Sequence, residues 1–288
     1  MINEENVVLK MSMFRNIESR GEFAIEAVQK SDEAIVTYTA LRIIYNYTLA
    51  EQTITVKELL EVLGFDTTKP LQRESKRIKG GLQILNDNGV ISYTKKGNSY
   101  IIDTSNLFLN MKRGGDLTFS IPVDYIHILA TQKNCFPLIR HYLTLCSTIN
   151  VMGKHFGTMS IDNFTELLNM SEKTIRNQRN KFEELGLIKF STDRHAVGSN
   201  GEFINIPKKY AMPYSKVEVE ELANEALVKA QNDFEKNLRR QKKERLKAER
   251  EAKKRKPTEN NTTTFNPFGD GLKPFDIEDS YETKNLPF

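Results

Sequence analysis

The chain has 288 residues, enough for two domains that each bury a core, and 28% of them are charged. No apolar run approaches the roughly 18–20 residues of a membrane span, the opening MINEENVVLK lacks the apolar stretch of a secretory signal, and Cys135 and Cys146 show no CxxC spacing. These features speak against membrane insertion, secretion, a disulfide framework and structural zinc, and for a reducing cytosol. The net charge of +4 is uneven, because residues 257–288 carry −4 and residues 1–256 carry +8; a basic body with an acidic end suits a nucleic-acid-handling protein.

Residues 1–22 read as an irregular or extended arm. From Ser31 to Leu49 a helical stripe places Ile35, Tyr38, Leu41, Ile44 and Tyr45 near one face. The alternating, β-branched Thr53-Ile-Thr55 predicts a short strand, and Val56–Leu63 a short helix that stops at Gly64. Asp66-Thr-Thr-Lys-Pro70 is a helix start with proline placed early, and the helix reaches about Asn88 with Leu71, Ile78, Leu82 and Leu85 inward. After Gly89, Val90–Tyr93 and Ser99–Asp103 predict a β-hairpin with the basic tip Thr94-Lys-Lys-Gly-Asn98.

The same order then returns. Phe136–Thr148 predicts a helix with Leu138, Tyr142, Leu143 and Cys146 inward, and His155–Met159 a short strand. Ser160 caps a helix Ile161–Leu168, and Ser171 caps the next, which runs to Leu185 and stops at Gly186. Leu187–Ser191 and Glu202–Pro207 predict a second hairpin whose long tip, residues 192–201, holds Arg194 and His195. Thr55-Val-Lys-Glu-Leu-Leu-Glu-Val-Leu63 matches Ser160-Ile-Asp-Asn-Phe-Thr-Glu-Leu-Leu168 in pattern, and Leu85-Asn-Asp-Asn-Gly-Val-Ile-Ser-Tyr93 matches Phe182-Glu-Glu-Leu-Gly-Leu-Ile-Lys-Phe190. A helix-turn-helix followed by a hairpin is the winged-helix plan. The expected architecture is therefore α+β and mainly helical, with an arm (1–22), two tandem winged-helix domains (23–115 and 116–212), one long charged helix (213–256) and a disordered acidic tail (257–288). The long helix has Leu222, Ala226, Val228 and Phe234 on one side of its first half, and twelve bases against three acids from Lys236 to Lys256.

At about 100° per residue, the third helix of the second unit turns Ile175, Gln178, Phe182 and Leu185 inward and Lys173, Arg176, Asn177 and Asn180 outward. Those outward types suit a major groove: arginine can pair with guanine, asparagine with adenine, and lysine neutralises phosphate. The equivalent helix of the first unit puts Lys69, Arg73 and Lys76 outward, with Arg77 and Lys79 flanking. Its Gly80-Gly81 pair points to a kink or to the close approach of another backbone, such as a partner subunit, so this unit reads either as a second DNA contact or as a dimerisation module. Lys95, Lys96 and Arg194 at the hairpin tips read either as phosphate contacts or as solvated charge, and so does the basic half of the long helix. A lack of aromatic platforms favours double-stranded over single-stranded DNA.

Two resemblances add to this. Ser171-Glu-Lys-Thr-Ile-Arg-Asn-Gln178 with Phe182-Glu-Glu-Leu-Gly-Leu-Ile188 is similar to tandem winged-helix replication initiators and replisome organisers of Gram-positive plasmids and phages, and also to winged-helix regulators. The segment from Asn266-Pro-Phe268 through Lys273-Pro-Phe-Asp-Ile277 to Leu286-Pro-Phe288 resembles the tail of bacterial single-stranded DNA-binding protein. That resemblance implies that Leu286, Pro287 and Phe288 anchor in a host partner, the last ring in an apolar pocket and its carboxylate on a basic residue, with Asp276, Glu278 and Asp279 as the acidic approach. Lys284-Asn285 departs from that family's acidic pattern. The implied function is a homodimeric replication protein of a mobile element that recruits host replication proteins; a transcriptional regulator, or a partition or relaxosome accessory factor, is the alternative.

No phosphate-loop motif is present, and His127, His141, His155 and His195 are scattered, so neither an ATPase nor a metal-dependent nicking enzyme is expected, and no cofactor or metal. A tyrosine nucleophile remains formally open. His141 beside Tyr142 lies in an apolar helix and reads as a packed core residue.

Overall fold

The computed structural model describes residues 6–14, 26–45, 52–103, 118–149, 155–197 and 203–255. Among them the protein is α+β and mainly helical, and the chain divides into two units, Met1–Asn237 and Leu238–Phe288. The first unit opens with β1 (Asn6–Lys10) and a single 3-10 turn, Met11–Met13. Next come α1 (Glu26–Gln29), α2 (Asp32–Ile44), β2 (Gln52–Thr55), α3 (Val56–Val62), α4 (Gln72–Asp87), β3 (Ser92–Lys96) and β4 (Ser99–Asp103). The chain continues through β5 (Thr118–Pro122), α5 (Val123–Ala130), α6 (Cys135–Thr148), β6 (Gly157–Thr158), α7 (Ile161–Leu168) and α8 (Glu172–Glu184). Four short strands follow, β7 (Lys189–Phe190), β8 (Arg194–Val197), β9 (Phe203–Ile206) and β10 (Lys209–Ala211), before α9 (Val219–Arg255).

The internal repeat has a local chemical cause. Thr55 Oγ1 accepts from the Glu58 amide while Glu58 reaches back to the Thr55 amide, so a reciprocal capping box starts α3. Ser160 and Ser171 start α7 and α8 by accepting from the amides of Asn163 and Thr174. Both third helices end alike: Gly89 and Gly186 adopt φ of +68° and +67°, and the amides of Val90 and Leu187 each reach the carbonyl of Leu85 or Phe182 at 2.9 Å. A left-handed residue at this position satisfies the last carbonyls and lets the strand turn away, which glycine does without steric cost. The two three-stranded sheets also match, in the orders β2-β4-β3 and β6-β10-β7, each with its last strand central.

Three expectations are corrected and a fourth is narrowed. The segment Asp66–Lys69 is a turn, closed by Lys69 N–H to Asp66 O and Thr68 N–H to Asp66 Oδ1, and α4 starts only at Gln72. The first hairpin turns over Gly97-Asn98 alone, so Lys95 and Lys96 belong to strand β3 rather than to a tip. In the second unit β7 pairs with β10, and the residues between them fold into a separate hairpin, β8–β9, that includes Arg194. Of the two readings of the arm, irregular or extended, residues 6–10 take the extended one: β1 pairs antiparallel with β5 from Asn6↔Pro122 to Lys10↔Thr118.

One hydrophobic core runs through both repeats, from Val7 in β1 to Met212 after β10. α2 and α6 lie within it, with Ile35, Tyr38, Leu41, Ile139, Tyr142 and Leu143 fully buried. β1 is fastened to α2 where the Arg42 Nε–H donates to the Val8 carbonyl at 2.9 Å and the Lys10 amide donates to Tyr38 Oη at 3.1 Å. α9 buries Val219 and Ala223 and half-buries Leu222, Ala226 and Phe234, whereas Val228, expected on the same side, is 54% exposed. Within the second unit the described part of α9 is braced by Arg240–Glu244 and Arg245–Glu249 pairs at 3.1 and 3.3 Å. No helix among the described residues is long and apolar enough to cross a membrane.

Candidate nucleic-acid interface

α8 presents two chemically distinct faces. Ile175 and Phe182 are fully buried, and Arg179 is 5% exposed beneath them in the core. Lys173, Asn177 and Asn180 are exposed and hold no ion pair or side-chain hydrogen bond among the described residues. Arg176 is exposed and chelated by Glu172 through Nε at 2.9 Å and a terminal nitrogen at 2.6 Å. A solvated pair of this kind contributes little and exchanges readily for another acceptor.

The inward side of α8 is anchored by a buried histidine. His141 on α6 is fully buried between the rings of Phe164 and Phe182, with Nδ1 2.7 Å from Gln178 Oε1. Burial first, and then the nearby Arg179 and Arg140, push its pKa down to about 3. The ring is therefore neutral near pH 7, donates from Nδ1 to Gln178, and leaves Nε2 buried without a partner. This fixes the rotation of α8 about its own axis, and so the direction of its outer face.

On α4, Arg73, Lys76 and Lys79 are exposed, and none has an ion-pair partner among the described residues. Lys69 precedes the helix and is held by Asp66 at 2.9 Å, while hydrogen bonds from Thr68 and Lys69 hold the Asp66 carboxyl down at about 2. Arg77 is not a free surface cation. It pairs with Glu33 at 2.8 Å and Asp32 at 3.4 Å, and its guanidinium lies 4.1 Å from the Phe136 ring centroid. Lys95 and Lys96 are exposed on β3, an edge strand.

These helices meet at a cleft of about 630 Å³. Arg73 and Lys76 of α4 line one side, and Thr174 and Gln178 of α8 the other. Asp32, Arg77 and Arg140 also line it, with Asp32 Oδ1 2.6 Å from Arg140 Nε. Arg140 is 4% exposed and donates further to the carbonyls of Gln29 and Leu168, so one side chain joins the start of α2 to the end of α7. Burial pushes the Asp32 carboxyl up and the Arg140 guanidinium down in pKa, and their mutual attraction opposes both shifts.

The β8–β9 hairpin is tethered from α9. Glu220 accepts from the Thr192 amide, the Thr192 hydroxyl and Arg194, and these bonds, led by that from Arg194, lower its pKa. Arg194 is thus engaged rather than free. Farther out, Val197 is 56% and Phe203 74% exposed on paired positions. With Tyr214 at 63%, these side chains remove the absence of exposed aromatics as a ground for preferring double strands. Asp276, Glu278, Asp279, Leu286, Pro287 and Phe288 lie outside the described residues.

Arg140, Arg179, Glu220 and the apolar hairpin were not singled out from sequence. A charged residue inside an apolar helical stripe is the one signal that could have found Arg140 and Arg179. Among the described residues no group of three or more His, Cys, Asp or Glu is placed to hold a metal ion. No protein-family model matches the chain, and no curated protein is significantly similar to it.

Proposed function

We propose that this protein is a non-enzymatic, double-stranded-DNA-binding replication protein of a plasmid, phage or other mobile element. On this reading its two repeats are winged-helix units, and α4 and α8 are the helices that face the nucleic acid. The observation that carries it is the outer face of α8 (Lys173, Asn177, Asn180), without partners among the described residues, beside a cleft that α8 lines with Thr174 and Gln178 and α4 with the cations Arg73 and Lys76. The preference for duplex rests on those groove-suited amide and cationic side chains. Lys95, Lys96 and a re-paired Arg176 add phosphate contacts; Arg77 and Arg194 serve the fold.

The protein acts as a cytosolic homodimer on this reading, and its Leu286-Pro-Phe288 tip with the acids Asp276, Glu278 and Asp279 recruits host proteins that bind the tail of single-stranded DNA-binding protein. Titration of labelled duplex from the parent element tests the core of the proposal. Asn177→Ala or Asn180→Ala lowers affinity for the cognate duplex by about 1–3 kcal/mol and relaxes base preference, while Lys173→Ala weakens all duplexes alike and flattens the salt dependence. Equal binding by wild type and all three variants overturns it. Loss of micromolar binding to the host primosomal helicase on removing Phe288 tests the recruiting tail separately.

A further inference from the structure

A second cleft, of about 420 Å³, lies where the starts of α7 and α8 meet the base of the β8–β9 hairpin. Arg179 lines it while being 5% exposed. The guanidinium carbon sits 4.7 Å from the Phe164 ring centroid and 5.8 Å from that of Phe190. These rings account for where the guanidinium rests, but they accept no in-plane hydrogen bonds. Its Nε and one terminal nitrogen are buried with no hydrogen-bond partner. A guanidinium does not escape this cost by losing its proton near neutral pH, and a buried polar group left without a partner calls for a water or an ion.

The acids on the walls do not supply that partner. Glu172 is held by Arg176 at 2.6 Å, and Asp193 by Lys208 at 3.3 Å. Asp162, the remaining wall carboxylate, belongs to the first turn of α7 and makes no ion pair among the described residues. Two further features favour an anion. Ser160 caps α7 through the Asn163 amide, which leaves the Ile161 and Asp162 amides with no acceptor inside the helix. His195 and Lys208 stand on the hairpin side of the same cleft.

We propose that this cleft is a phosphate-binding site, with Arg179 as its central ligand and Lys208 and the first amides of α7 around it, and that the phosphate is a backbone phosphodiester of the bound nucleic acid. The volume leaves room for a phosphate together with its flanking sugars. The phosphodiester source rests on the DNA-binding reading; the anion site does not.

The test therefore uses inorganic phosphate first. Full-length protein is melted in rising phosphate against chloride at matched ionic strength, for wild type, Arg179→Met and Lys208→Gln. Arg179→Met keeps the stacked volume, and Lys208→Gln, which removes one cleft cation and its ion pair with the exposed Asp193 but no core side chain, covers the case in which the first variant fails to fold. The site predicts a saturable rise in melting temperature for wild type that Arg179→Met abolishes and Lys208→Gln weakens. No rise in wild type, or an equal rise in all three proteins, overturns the site. Duplex binding then identifies the source. A roughly tenfold loss of affinity in the variants, with a salt slope smaller by about one phosphate, supports the backbone phosphodiester. A phosphate-dependent rise with unchanged duplex affinity upholds the site and overturns that source. Failure of the wild type to bind any duplex sinks the DNA reading while the melting experiment still decides the site.

Discussion

Gly80 and Gly81 are neighbours in α4 with opposite requirements. A methyl group on Gly81 would overlap Thr37 Oγ1 and the Glu33 carbonyl of α2, whereas one on Gly80 would meet nothing. The close approach expected from this pair is thus made by α2 of the same chain. Urea denaturation should show Gly80→Ala stabilising the protein by about 1 kcal/mol and Gly81→Ala destabilising it by about 1–3 kcal/mol; two shifts of the same sign would contradict this packing. His141 supplies a second residue-scale prediction. Its pKa is about 3 in the fold against 6.5 for the free side chain, so the unfolded chain binds the proton first on acidification. The stability from its neutral burial is complete above pH 6.5 and is lost as pH falls from there toward 3, at about 1.4 kcal/mol per pH unit. Urea midpoints measured at pH 7 and pH 5 should differ accordingly, and His141→Gln should remove most of the difference. Gly81 was visible as an anomaly in a helical pattern. The identity of what it touches was not, because Thr37 and Glu33 lie far away in sequence.

Element boundaries were legible wherever their cause is local. Ser31, Thr55, Ser160 and Ser171 each satisfy an amide three residues on, and each marks a helix start that the sequence predicts to within a residue. The start of α4 was misplaced because Asp66 offers the same chemistry and uses it to close a turn. The strands after α8 were misread because their pairing is decided from outside: Tyr210 in β10 packs against Phe164 and Phe190, and that core contact selects β10 as the neighbour of β7. The hairpin left over is held by Glu220 of α9. Replacing Glu220 with Ala should speed amide exchange at Thr192 and proteolysis across β8–β9, while global stability moves by less than about 1 kcal/mol, since the tether is partly exposed. Unchanged protection of Thr192 would show that the sheet alone holds the hairpin.

At the scale of the whole first unit, the two repeats share one core and one ion network. Phe65 and Arg77 from the first repeat pack on Phe136 from the second, and His127 Nε2 lies 3.1 Å from the Val62 carbonyl. Sequence periodicity could reveal the repeat, but not this union, because the joining residues are ordinary core and cationic types whose partners lie across the repeat boundary. Arg140→Leu leaves the half-buried Asp32 carboxylate with Arg77 as its remaining ion-pair partner and should cost about 3 kcal/mol, the low end for a broken buried pair. Followed by tyrosine fluorescence and far-ultraviolet circular dichroism, the wild type should unfold both repeats in one coincident transition; two separated transitions would mean that the shared core does not couple them.

On the proposed DNA-binding reading, that union turns the pair of third helices into a calliper. A flexible linker would let two reading heads search for their half-sites independently and tolerate any spacer. A solid body with α4 and α8 on one cleft has a single jaw setting. On DNA with about 10–10.5 base pairs per turn, inserting five base pairs between the two contacted stretches swings one of them to the far side of the duplex, where the jaw cannot follow. Restoring a full turn brings the face back but leaves it one pitch too far along the axis. The protein would therefore accept one spacing and reject both altered sites, whatever bases they display.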